Sequence, residues 1–148
     1  VPVRLWFDFT ARHRLLSRLA APAVMLTLWL LSSRSTLPMP ANIFGLDKLA
    51  HFVAYGILAL TLGLWFPQRH WREAPLRTML LIITIASVYG LVDEVHQSFV
   101  PGRHASVFDW LADTLGATLV AGIHYMVIRH TELKKRAPDD TTADQHCR

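Results

Sequence analysis

Four runs of this sequence hold enough apolar residues to cross a lipid bilayer. A bilayer core about 30 Å thick needs roughly 20 mainly apolar residues per helix. Residues 15–33, 49–66, 78–99 and 107–128 meet that requirement. Chain breakers separate them: Pro38, Pro40 and Gly45 in the first connection, Pro67 and Pro75 in the second, Pro101-Gly102 in the third. Pro22 falls in the first turns of the first run, where proline costs least. The expectation is an all-α polytopic membrane protein, a four-transmembrane-helix bundle. It divides into an N-terminal interfacial segment 1–14, a transmembrane domain 15–128 and a polar tail 129–148 with a helical start at best. The first run follows basic residues, as a signal peptide does. It is long for one, and Ser32-Ser33-Arg34 is a poor cleavage site, so it reads as a retained helix. Composition agrees: 52% of residues are hydrophobic and 18% charged, against about 25% charged in soluble domains. The single cysteine, Cys147, excludes an intrachain disulfide and a multi-cysteine metal cluster.

The net charge of +4 and a pI near 9.7 raise the question of nucleic acid. The placement of the basic residues argues against it. Twelve of the fifteen Lys and Arg residues fall in the N-terminal segment, the second connection and the C-terminal segment, and only Arg34, Lys48 and Arg103 on the other side. Positive-inside then puts both termini in the cytoplasm of a multi-pass protein of the cytoplasmic (inner) membrane. The basic excess becomes a topology signal and a contact with anionic lipid heads, with membrane lipids as partners and no nucleic acid. Arg4–Arg14, with Leu5, Trp6, Phe7 and Phe9, suits the cytoplasmic interface. His124 and His130 read as interfacial, and the five tryptophans as mostly an aromatic belt.

Ionisable residues within membrane spans are costly and mark function by default. Here they collect at the end that the charge bias places outside: Asp47, Lys48 and His51 on the second run, Asp93, Glu94, His96 and Gln97 on the third, Arg103 in the loop, Asp109 and Asp113 on the fourth. Positions three and four apart share a helix face. Asp47, His51 and Tyr55 make one stripe, Tyr89, Asp93 and His96 or Gln97 a second, Asp109, Asp113 and Gly116 a third. One shared water-accessible pocket is the economical arrangement, since each unpaired polar group in hydrocarbon costs several kcal/mol. Gly56, Gly63, Gly90, Gly116 and Gly122 allow close helix approach.

Structural roles compete with functional ones. Asp47 suits a helix N-terminus, and Ser106-x-x-Asp109 has the form of a capping box. Asp113 lies beyond capping range, with an ion pair to Arg103 as its structural alternative. Asp93 and Glu94 end a helix, where the dipole disfavours acids, so capping does not explain them. Lys48 could snorkel, His51 could be a satisfied interior histidine, and Arg103 could clamp the loop onto Asp93 or Asp109.

At these residues the sequence resembles the VanZ-like membrane proteins. The matching elements are Asp47-Lys48-x-x-His51-x-x-x-Tyr55-Gly56, then Tyr89-Gly90-x-x-Asp93-Glu94-x-His96-Gln97-x-Phe99-x-Pro101-Gly102-Arg103, then Ser106-x-x-Asp109-x-x-x-Asp113-x-x-Gly116. The resemblance covers roughly residues 46–128. It implies a small bacterial membrane protein of about four helices with this shared polar cluster. The name-giving member is associated with low-level resistance to the glycopeptide teicoplanin. The resemblance supplies no reaction.

Two functions compete. One is a binder in which the pocket holds an amphipathic ligand, a lipid-linked envelope precursor or a lipoglycopeptide antibiotic, with Lys48 and Arg103 on its phosphate or carboxylate. The other is an intramembrane hydrolase or transferase acting on a lipid-linked phosphate or sugar. Its candidate catalytic residues are His51, Asp93, His96 and Asp113. No cofactor is required. Two histidines among carboxylates leave a divalent metal open, and the oligomeric state is open too. An ion path is disfavoured because the other halves of these spans are almost wholly apolar.

Overall fold

The computed structural model describes residues 13–35 and 45–136. The interfacial segment before residue 13, Pro38 and Pro40, and the tail from residue 137 with Cys147 lie outside the described residues. The described residues form five helices: α1 (Arg14–Ser32), α2 (Leu46–Trp65), α3 (Gln68–Glu73), α4 (Pro75–Gln97) and α5 (Val107–Arg136). All but α3 are long and apolar enough to cross a membrane. A helix suits that solvent because it satisfies its own backbone groups.

Local sequence sets the boundaries. Gly45 holds a left-handed conformation (φ 80°) and starts α2 at Leu46, so Asp47 and Lys48 lie on the helix and not before it. Pro75 opens α4 at its first position, where its missing N–H breaks no bond. Gly102, also left-handed (φ 82°), turns the chain between α4 and α5. α5 runs past its apolar part to Arg136, where Thr131 still bonds back to the Val127 carbonyl. Pro22 sits inside α1.

Successive long helices alternate in direction, so α2 and α5 run parallel to each other, and so do α1 and α4. The most extensive contact is between α2 and α5. Gly116 makes it possible, because a Cβ there would fall on the carbonyl oxygen of Phe52. Gly56 meets Val120 one turn on, whereas a Cβ at Gly122 would meet nothing, so Gly122 has no part in this approach. Alanines continue the small-residue packing: Ala59, Ala117 and Ala121 of α2 and α5 are buried with Leu58, and Ala86 and Ile82 are buried on α4. Small residues let helices close in without a hydrophobic driving force from water. α4 joins α5 through polar pairs: Ser87 Oγ lies 2.9 Å from Thr114 Oγ1, and Trp110 Nε1 donates to the Ser87 carbonyl at 3.0 Å. The outer faces are apolar and exposed, with Leu80, Val88, Leu115, Leu119 and Met126 among them. Lipid is the solvent that such a surface fits.

α3 folds under the bundle at the end where α2 stops. Trp71 is fully buried there, stacks on His124 at 4.1 Å and donates its Nε1–H to the Gly63 carbonyl at 3.2 Å. His124 is therefore half-buried against Trp71. Trp71 itself lies in the core, an exception to the aromatic belt expected of most of the tryptophans. The short helix α3 turns Trp71 inward, which hydropathy does not register.

Candidate functional site

The other end of the bundle gathers the C-terminal turns of α1 and α4 and the N-terminal turns of α2 and α5. The ionisable residues of the three stripes lie here, within about 9 Å of their helix ends at 1.5 Å per residue.

α2 and α5 present facing acids and bases. His51 Nδ1 lies 2.9 Å from Asp113 Oδ1 and 4.0 Å from Glu94 Oε1. Asp113 is fully buried. It reaches this depth because Gly90 of α4 has no side chain: a Cβ there would sit 2.8 Å from Asp113 Oδ2. One turn nearer the surface, Lys48 Nζ bridges Asp47 and Asp109, each at 2.9 Å. Asp47 stands in the first turn of α2, where its charge suits the positive end of the helix dipole.

The start of α5 follows the capping-box pattern only in part. Ser106 Oγ accepts from the Asp109 N–H at 3.3 Å, as an N-cap should. The reciprocal arm comes from another helix: Glu94 Oε2 accepts the Ser106 N–H at 2.6 Å. Asp109 is thereby left to Lys48. Glu94, at an α4 C-terminus that disfavours an acid, finds its compensating donor on the next helix.

α4 carries a second chain of bonds. Gln97 Nε2 donates to Asp93 Oδ2 at 3.0 Å, and Arg103 Nη2 donates to Gln97 Oε1 at 2.7 Å. Arg103 therefore reaches Asp93 through Gln97, and Asp113 pairs with His51 and not with Arg103. Among the described residues, four buried side-chain atoms have no hydrogen-bond partner: Tyr55 Oη, Asp93 Oδ1, Glu94 Oε1 and Asp113 Oδ2. His96 turns to α1, stacking on Trp29 at 3.9 Å with Nδ1 3.3 Å from Ser32 Oγ. Tyr89 also turns to α1, donating to the Met25 carbonyl at 2.6 Å.

A cavity of about 340 Å³ opens at this end. Asp47, His51, Asp93, Gln97, Arg103 and Asp109 form its polar wall, and Leu28, Leu31, Ala50 and Ala54 an apolar one. Lys48, Glu94 and Asp113 stand behind the polar wall, bonded to it or to one another's partners. The apolar wall comes partly from α1. Nothing in the α1 sequence signals this, since the last turns of the helix hold leucines and Ser32 but no ionisable residue. His104, next to Arg103, also lines the cavity. His51, Glu94 and Asp109 each offer a ligand atom within 4.8 Å of the others, a spacing that a metal ion could draw together.

Comparison with known proteins fits this arrangement. No curated protein and no solved structure matches the chain. The family model VanZ/LLP1 matches residues 5–129, a span that contains α1, α2 and α4 entire, α5 as far as Arg129, the α4–α5 turn and every residue of the polar cluster, and the chain therefore belongs to the VanZ/LLP1 family of multi-pass membrane proteins.

Proposed function

We propose that the protein binds the headgroup of an amphipathic ligand at the extracytoplasmic end of the bundle, in the cytoplasmic membrane, with both termini in the cytoplasm. One observation carries this reading: the cavity has an apolar wall beside a polar one, with Arg103 on its rim. Arg103 makes its side-chain bond, among the described residues, to Gln97 alone. That bond fixes the guanidinium and leaves its other donors for a phosphate or carboxylate. Lys48 is already engaged by two acids, so Arg103 is the better anion contact. Size favours one ligand class. A cavity of about 340 Å³ lies at the low end of ligand pockets, which span about 300–1,000 Å³. It takes a phosphate headgroup with the start of its lipid chain and not a whole glycopeptide. A lipid-linked envelope precursor fits better than a lipoglycopeptide, and low-level teicoplanin resistance would follow from holding the precursor.

The test is a titration of the detergent-purified protein with a polyprenyl phosphate and, separately, with teicoplanin. Wild type is expected to bind the lipid phosphate. Arg103→Ala should weaken it roughly 10- to 100-fold, the worth of a charged hydrogen bond of about 1.5–3 kcal/mol. Equal binding by wild type and variant would sink the reading, and tight binding of teicoplanin alone would replace the ligand class.

A hydrolase or transferase is the second reading, favoured by the His51–Asp113 pair. A buried carboxylate that orients an imidazole on a cavity wall is the arrangement of a general base. His51 would take a proton from water or an acceptor hydroxyl, and Asp113 would stabilise the imidazolium. Release of phosphate or sugar from a lipid-linked substrate, abolished in His51→Ala, would establish it.

A further inference from the structure

We infer that the cluster at the cavity's polar wall is a binding site for one divalent transition-metal ion, held by His51 and Asp109 of the wall and Glu94 behind it, with Asp113 alongside. The first observation is spacing: one ring nitrogen of His51 and one carboxylate oxygen each of Glu94 and Asp109 lie within 4.8 Å of one another. Ligands about 2.0–2.2 Å from a common ion stand roughly 3–4 Å apart, so small side-chain movements complete the set. Asp113 Oδ1, 2.9 Å from His51 Nδ1, already has the separation of a neighbouring ligand.

The second observation is independent of spacing. Glu94 is 4% exposed, yet its Oε1 has no hydrogen-bond partner among the described residues. The carboxylate cannot simply be turned away, because Oε2 is fixed by the Ser106 N–H. Its bare oxygen is thereby held 4.0 Å from His51 Nδ1. Asp113 Oδ2, fully buried, is likewise without a partner. Native structures rarely leave such atoms unmatched, and an ion is one of the standard explanations.

Charge points the same way. Asp47, Asp93, Glu94, Asp109 and Asp113 share this end of the bundle with Lys48, Arg103 and, exposed just beyond α1, Arg34, so acids still outnumber fixed cations. A bound cation removes much of that imbalance. The donor set narrows the choice. An imidazole suits zinc, iron and nickel, and carboxylates suit manganese, magnesium and calcium. A mixed set of one nitrogen and two or three oxygens selects manganese(II) or zinc(II), not calcium or copper(I).

This inference goes beyond headgroup binding and does not need it. Full-length protein, purified in detergent and stripped with chelator, would be dialysed back against manganese(II) or zinc(II) alone and its metal counted. Wild type is expected to retain about one ion per chain. Glu94→Gln and His51→Ala should each bind roughly tenfold more weakly or worse, while His130→Ala, exposed near the far end of α5, should bind as wild type does. No retained metal in wild type, or unchanged affinity in both cluster variants, overturns the site. If those variants prove misfolded, pulsed electron paramagnetic resonance of manganese-loaded wild type decides. Imidazole nitrogen coupling is expected, and its absence overturns the assignment. A parallel polyprenyl phosphate titration in chelator keeps a failure here separate from a failure of the headgroup reading.

Discussion

Asp113 shows what a single side chain must secure to exist at this depth. It has no exposure, one oxygen on His51 and one oxygen unmatched. The pair is packed against a third helix at Gly90, with Tyr55 of α2 beside it. Its two members should therefore act as a unit. In a double-mutant cycle, His51→Ala and Asp113→Asn are expected to be non-additive, with a coupling of about 0.5–3 kcal/mol. Unfolding in detergent measures it, and simple additivity would mean that the two side chains do not support each other. At this scale the sequence marks the costly ionisable residues but not whom they touch. The four-residue spacing of Asp109 and Asp113 marked a polar stripe, yet nothing in it pointed to His51, 62 positions earlier. Helical geometry also splits what spacing groups together. At 3.6 residues per turn, i+3 and i+4 fall on opposite sides of i. From Asp93, Gln97 turns to Arg103 while His96 turns to Trp29 and Ser32.

Between elements, glycine decides how near two helices come, and the structure separates positions that the sequence could only treat alike. Gly116 stands against the Phe52 carbonyl, and Gly122 faces open space. Gly116→Ala must push α2 from α5. The expected destabilisation is roughly 1–3 kcal/mol, the usual cost of overpacking. Gly122→Ala should be neutral or slightly stabilising, since alanine is the better helix former. Thermal unfolding of both variants in the same detergent checks the contrast, and equal melting temperatures would refute the close approach. The helices themselves were legible because bilayer thickness fixes how long an apolar run must be. Their exact ends were less so. α5 continues to Arg136 because backbone hydrogen bonding does not stop where hydropathy does. α3 is six residues long and polar except for Trp71, and its place under the bundle follows from that one indole finding the Gly63 carbonyl.

For the whole molecule, orientation is the property that charge counting addresses and coordinates do not. The bias of Lys and Arg predicts that the α4–α5 turn faces outward. In intact cells, a cysteine at Ala105 in a chain with Cys147→Ser should react with an impermeant thiol reagent, while native Cys147 in the unaltered chain should be shielded. The opposite labelling pattern would invert the protein in the membrane. The bundle was foreseeable from four spans and short connections. The participation of α1 in the cavity was not, because leucines carry no sign of the polar neighbours they will meet. One further consequence follows from the shallow position of the cluster, about 9 Å at most from the helix ends, with Trp71 and apolar side chains filling the opposite end. A full charge moved across a bilayer responds to about 2.3 kcal/mol per 100 mV, but a charge settling at this depth traverses only a small part of that field. Loading and emptying should then follow the contents of a single leaflet and the adjoining water, and proceed much the same in an energised cell and a depolarised one.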